Sequence, residues 1–144
     1  MFIERRKFLL ETCKACLFAG AGFLISDLTA CSPVFQVIHL PILDNTVRVP
    51  LLDFKKSSMQ LLRPEGWIYD IAIRKKSTDD YEALLLQCTH QKNQLMAEGN
   101  GFICTLHGSR YTLDGQVKKG PAEQTLRKFK TRVESDELVI LLGS

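Results

Sequence analysis

The sequence predicts an all-β domain, built as an antiparallel β sandwich or small barrel. Short runs of branched and aromatic residues recur along residues 34–142, and apolar and polar residues alternate within residues 47–49 and 67–73. Turn-forming residues separate the runs, for example at 64–66, 99–101 and 114–115. Strands at this spacing are typical of sandwiches and barrels, and no long stretch keeps a helical period.

The size and composition allow one ordinary domain. The chain has 144 residues, of which 45% are hydrophobic and 24% charged, so neither disorder nor a fibrous repeat is indicated. The net charge is +3, and no basic stripe is interleaved with aromatic residues. Nucleic acid is therefore not an expected partner.

The first 31 residues are predicted to be an export signal. A short basic start precedes an apolar run over residues 15–26, which is well under the ~20 residues that a membrane-spanning helix needs. A secretory signal is therefore favoured over a transmembrane anchor. Arg5 and Arg6, followed by Phe8 and Leu9, resemble the twin-arginine export motif, although Glu4 departs from it.

Cys31 ends this segment in a pattern that resembles a bacterial lipobox. Leu28 lies three residues before Cys31 and the small Ala30 directly before it, as that motif requires. The resemblance implies a lipid on Cys31 and attachment to a membrane, whereas the alternative is a buried thiol after a signal-anchor. Cys13 and Cys16 could form a redox or metal pair, but within an apolar signal they are expected to be two small hydrophobic residues.

The remaining chain divides into two parts. Residues 32–44 are predicted to be a tether or a first strand, and residues 45–144 form the domain. Two loops stand out in it: Cys88-Thr89-His90, and Cys104 with His107 three residues later. Each places a thiolate and an imidazole in one tight loop, and the hairpin predicted between them would let both close on one metal centre.

Three interpretations of these pairs remain open from the residues alone. Zinc is bound by cysteine and histidine in many small domains. Zinc fingers, however, usually take two cysteines from one knuckle and two histidines from the other, whereas here each loop gives one of each. A second interpretation is that the four residues are unliganded core residues, and a third follows from their order along the chain.

The mirrored order Cys-x-His and Cys-x-x-His-Gly-Ser resembles the Rieske family, over about residues 45–144. The resemblance implies a [2Fe–2S] cluster bound by the part of the chain near residues 87–122, in a small subdomain formed by two loops. Cys88 and Cys104 would bind one iron, and His90 and His107 the outer one.

Further residues match the high-potential members of that family. The resemblance implies that Ser109 and Tyr111 donate hydrogen bonds to cluster sulfurs and tune the potential. Gly120-Pro121-Ala122 would form the loop that shields the cluster. Neither of the two cysteine–histidine loops carries the extra cysteine that forms a disulfide in respiratory complexes, so the sequence departs from the family pattern there.

The resemblance implies a one-electron carrier. With neutral histidines the oxidised cluster has no net charge, which raises its potential above that of four-cysteine clusters. The export signal predicts a lipid-anchored protein on the extracytoplasmic face of a bacterial cell envelope. Its partner would be a cytochrome, a quinol-oxidising cytochrome bc-like complex or another periplasmic oxidoreductase. The alternatives are a free ferredoxin for an oxygenase and a zinc-stabilised interaction module. The chain is too short for an additional catalytic domain, so catalysis by this protein alone is not expected.

Overall fold

Strands account for nearly all the regular structure within residues 35–143. The computed structural model describes residues 35–143, so the predictions for Arg5, Arg6 and Cys31 lie outside the described residues. In that range the elements are β1 (Val37–Leu40), β2 (Thr46–Pro50), a 3₁₀ helix η1 (Leu51–Lys55), β3 (Met59–Pro64), β4 (Ile71–Lys75), β5 (Tyr81–Leu85), β6 (Met96–Glu98), β7 (Gly101–Ile103), β8 (Arg110–Thr112), β9 (Val117–Lys119), β10 (Lys128–Glu134) and β11 (Glu137–Leu141). The all-β prediction is confirmed.

The larger sheet has seven strands in the order β1-β3-β4-β5-β10-β11-β2. Its pairs are antiparallel except for β1 with β3, in which Val37 pairs with Leu61. This parallel pair differs from the antiparallel expectation. It arises because β2 leaves to pair with β11 at the other edge, so the chain returns to β1 in the same direction.

The larger sheet curls around one hydrophobic core. Val47 and Val49 of β2 pack in the same cluster as Ile71 and Ile73 of β4, although these strands lie far apart in the sheet order. All four side chains are fully buried. The alternation of apolar residues that indicated strands in the sequence is therefore the alternation between this core and the outside.

A smaller antiparallel sheet, in the order β6-β7-β8-β9, carries the two loops that were singled out in the sequence. Strands β7 and β8 approach closely at Gly101, where an added Cβ atom would clash with the carbonyl oxygen of Tyr111. A second hydrophobic cluster lies beneath this sheet and contains Cys88, Cys104 and Tyr111 beside Leu84 and Leu86. The cysteines are thus part of a packed core.

Two segments differ from the strand pattern of the sequence. The alternation over residues 67–73 predicts one strand, but β4 begins only at Ile71. Residues before it form a turn in which the Trp67 amide donates to the Pro64 carbonyl. Strand β8 was not predicted from the sequence.

Among residues 35–143, no helical segment has the length and hydropathy that crossing a membrane requires.

Candidate metal centre

Three connections of the fold meet at one place. The first follows β5 and contains Cys88 and His90; the second joins β7 to β8 and contains Cys104 and His107; the third joins β9 to β10 and contains residues 120–122. We call the first two segments, residues 88–94 and 104–109, the first and second cluster loops.

The two cluster loops share one backbone turn. In the first, the Lys92 amide donates to the Cys88 carbonyl (2.8 Å), and the Cys88 amide donates to the Asn93 carbonyl (2.7 Å). In the second, the Gly108 amide donates to the Cys104 carbonyl (2.8 Å), and the Cys104 amide donates to the Ser109 carbonyl (2.8 Å). The spacing of the bonded residues is the same in both loops.

This shared turn requires a left-handed residue four positions after each cysteine. Gly108 adopts φ 76° in the second loop, as glycine does readily, and Lys92 adopts φ 52° in the first. A side chain in that region costs on the order of 1 kcal/mol, so the contacts of the first loop must hold Lys92 there.

The turns bring the four predicted ligands together in pairs. Cys88 and Cys104 are free thiols with no exposed surface, and both belong to the second hydrophobic cluster. His90 and His107 are exposed, and their ring centroids lie 5.0 Å apart with an interplanar angle of 83°. The sulfurs are therefore on the inside and the imidazoles at the surface. That these four residues are the ligands remains a prediction.

No group of three or more His, Cys, Asp or Glu side chains among the described residues is arranged to hold a single metal ion. A structural zinc site needs four protein ligands around one ion. A binuclear centre with bridging sulfides needs only two protein ligands at each metal, and the paired arrangement meets that requirement.

The Cys88 sulfur lies among hydrogen-bond donors. Burial raises the pKa of the Cys88 thiol, but donation from the Tyr111 hydroxyl and from the backbone amides of His90 and Gln91 outweighs burial. The pKa therefore lies below its ordinary value, and the site favours the thiolate, which is the form that binds a metal. Burial raises the pKa of Tyr111, so its hydroxyl keeps its hydrogen.

Tyr111 has two candidates for that hydrogen. Its hydroxyl oxygen lies 3.6 Å from the Cys88 sulfur and 3.0 Å from the Thr89 hydroxyl, and it accepts from the Thr89 amide (3.1 Å). Thr89 in turn donates its own hydroxyl hydrogen to the Gln124 carbonyl (2.8 Å). Thr89 can therefore only accept from Tyr111, and it competes with the Cys88 sulfur.

Ser109 is fully buried beside the third connection. Its hydroxyl oxygen accepts from the Ala122 amide (3.1 Å), which leaves the hydroxyl hydrogen for another acceptor. Ala122 is buried, whereas Gly120 and Pro121, joined by a cis peptide bond, are exposed. The structure thus places the predicted shielding segment against Ser109.

These features fit a [2Fe–2S] group. Two buried thiols and two surface imidazoles would supply its four protein ligands, and Ser109 and Tyr111 each have a buried hydroxyl near them. Sequence reasoning missed the roles of Thr89 and Asn93. The side-chain amide nitrogen of Asn93 lies 3.5 Å from Nδ1 of His107. Thr89 could have been noticed between the two ligands of the first loop, but no sequence signal indicates the contact of Asn93.

Comparisons with known proteins agree on one family. The family model described as "Rieske [2Fe-2S] domain" matches residues 53–130. The chain is similar to the cytochrome b6-f complex iron-sulfur subunit of Chlorobaculum thiosulfatiphilum, with 37% identity over 41 residues, which are 28% of this chain and 23% of that protein. It is also similar to cytochrome b6-f complex iron-sulfur subunit 1 of Synechocystis, with 32% identity over 72 residues, which are 49% of this chain and 40% of that protein. The chain therefore spans less than half the length of these relatives.

Solved structures share the fold. The cyanobacterial plasma membrane Rieske protein of Synechocystis PCC 6803 superimposes with a TM-score of 0.52 at 21% identity, covering 63% of this chain and 93% of that one. A chain from a complex of reduced oxygenase and oxidized ferredoxin in carbazole 1,9a-dioxygenase superimposes with a TM-score of 0.50 at 17% identity, covering 68% and 94%. At these identities the likeness supports the fold and nothing more.

Proposed function

The chain belongs to the Rieske [2Fe–2S] domain family, and we propose that it is a one-electron carrier whose cluster is held by Cys88, His90, Cys104 and His107. Family membership implies the cluster. The observation that carries the ligand assignment is the pair of matching turns, which gather two thiols inside the protein and two imidazoles at its surface.

The chemistry of the site follows from this division. A Rieske cluster takes up and returns one electron at roughly −150 to +300 mV. Cys88 and Cys104 exclude water from one side of the site because they are packed into the second core. His90 and His107 provide a short path for electrons to a docked protein because they are exposed beside Leu106, whose side chain is also exposed.

The cellular place is also part of the proposal. A lipid on Cys31 would hold the protein to a membrane on the extracytoplasmic side of a bacterial envelope. Its redox partner would be a cytochrome or a quinol-oxidising complex. The similarity to iron-sulfur subunits of cytochrome b6-f complexes supports this partner class, and the twin-arginine-like Arg5 and Arg6 support export of a folded, cluster-loaded protein.

Analysis of the purified wild-type protein tests the cluster directly. We expect about two iron and two sulfide per chain, visible absorption, and an electron paramagnetic resonance signal only after reduction. Redox titration should give a single one-electron step. Colourless protein with one zinc per chain would reject the proposal in favour of a zinc-stabilised module.

Ser109→Ala and Tyr111→Phe should each lower the reduction potential while the cluster stays assembled. Each change removes one hydroxyl that can donate to a cluster sulfur, and a hydrogen bond to a charged group is worth roughly 1.5–3 kcal/mol. Only the part that differs between redox states moves the potential, so we expect tens of millivolts up to about 100 mV. Tyr111→Phe should have the smaller effect, because Thr89 competes for its hydrogen.

Tyr81→Phe is the matched control, since its hydroxyl bonds no other residue in the described part of the chain. Tyr81 packs edge-on against Phe54 at 5.1 Å, a contact that phenylalanine preserves. Redox titration of the three variants separates tuning from packing. Potentials within about 15 mV of wild type for both Ser109→Ala and Tyr111→Phe, roughly a quarter of one charged hydrogen bond or less, would contradict the tuning role.

A further inference from the structure

The first cluster loop is also attached to the larger sheet, through the turn at residues 67–70. The Tyr69 hydroxyl donates to the Lys92 carbonyl. The Gln94 side chain makes two bonds to Asp70: its carbonyl oxygen accepts from the Asp70 amide (3.0 Å), and its nitrogen donates to the Asp70 carboxylate (3.1 Å). Three hydrogen bonds therefore join this loop to a turn distant in sequence.

Asp70 is a rigid point of attachment. Only 5% of its surface is exposed, and its second carboxylate oxygen accepts from Nε of Arg63 (2.7 Å). A buried carboxylate is costly unless its partners are in place, so this group has little freedom to move. The Asp70 carbonyl also accepts from the Leu86 amide (2.8 Å), so Asp70 is bonded on both sides of Cys88 along the chain.

The attachment leads directly to the Cys88 sulfur. Tyr69 holds the carbonyl of Lys92, and the Lys92 amide donates to the Cys88 carbonyl. The amides of His90 and Gln91 lie within this turn, and their interaction with the Cys88 sulfur lowers the pKa of its thiol against the effect of burial. Movement of the Lys92 peptide would therefore disturb the donors that face this sulfur.

No disulfide can hold the donors to Cys88 in place within the two cluster loops, because the only cysteines of these loops are Cys88 and Cys104 themselves. We infer that Tyr69 and Gln94 are positioning residues, which clamp the first cluster loop to the larger sheet and keep the His90 and Gln91 amides directed at the Cys88 sulfur. The clamp rests on the proposed function insofar as Cys88 is a cluster ligand.

Tyr69→Phe tests the clamp with the loss of one hydroxyl. We expect amide hydrogen exchange of residues 86–95 to become about 5- to 10-fold faster, which corresponds to one lost hydrogen bond in a local opening. Exchange in β10 and β11 should not change. Tyr81→Phe, which removes a hydroxyl elsewhere in the larger sheet, should leave the loop at the wild-type rate.

The reduction potential distinguishes a positioning role from a merely structural one, because a merely structural role would leave it unchanged. In full-length protein with unchanged iron content, Tyr69→Phe should lower the midpoint potential and broaden the electron paramagnetic resonance lines, because the donors to Cys88 become less fixed. Gln94→Met, which keeps the length of the side chain and removes both bonds to Asp70, should act in the same direction.

Two results would overturn the inference. The first is wild-type exchange of the loop in both Tyr69→Phe and Gln94→Met. The second is faster exchange with an unchanged potential, since the turn would then add stability without positioning the donors. Amide hydrogen exchange is also measured on metal-free protein. This measurement tests the attachment of the loop even if iron analysis of the wild type contradicts the proposed function.

Discussion

Replacing His107 by alanine is expected to remove the reduced-state electron paramagnetic resonance signal and most of the bound iron. His107 is one of two imidazoles that would complete the coordination of the outer iron. Apart from Cys104, the second cluster loop contains no other cysteine or histidine that could replace it. The side chain is exposed, so its loss should leave both hydrophobic cores intact. The iron content and the electron paramagnetic resonance spectrum of the purified variant are measured.

His39→Ala is the matched control for this experiment. His39 is the third histidine of the chain, is also exposed, and lies on β1 at the edge of the larger sheet. Its removal should leave iron content and spectrum at wild-type levels. Normal cluster content in folded His107→Ala protein would disprove the ligand assignment, whereas equal loss in both variants would point to general instability.

Replacing Cys31 by serine is expected to move the protein from the membrane fraction to the soluble fraction, with no lipid label incorporated. A serine hydroxyl cannot replace the thiol that attaches the lipid, and each buried methylene contributes about 0.8 kcal/mol to membrane binding. Two or more chains hold a protein durably, so their loss should change an almost complete attachment into an almost complete release. Cell fractionation measures the membrane-bound share of the protein, and labelling with a fatty-acid analogue measures its lipid content.

Cys13→Ser and Cys16→Ser are the controls, because they place the same substitution inside the predicted signal. Neither should change membrane attachment or incorporation of the lipid label. Unchanged membrane attachment of Cys31→Ser, with residues 1–30 still present on the product, would contradict lipidation and favour an uncleaved signal-anchor.

The structure brings together the cysteines and histidines that the sequence singled out, whereas one strand near them was predicted with the wrong start. The cysteines and histidines are visible because the loops are short, and each pair is fixed by local hydrogen bonds within about five residues. The strand expected over residues 67–73 was wrong at its start. Asp70 alternates with apolar neighbours as a solvent-facing strand residue would, but it is buried, and Arg63 and Gln94 satisfy its carboxylate.

The sequence alone therefore determined the all-β class and the two cysteine–histidine loops. These follow from local patterns: alternation at a period of two, turn residues between strands, and ligand spacing within a turn. Tertiary structure alone decided the parallel pairing of β1 with β3, the competition of Thr89 for the Tyr111 hydrogen, and the clamp from Tyr69 to Lys92. Such contacts join residues far apart in the chain, and they depend on which polar groups are left to satisfy one another once the cores have packed.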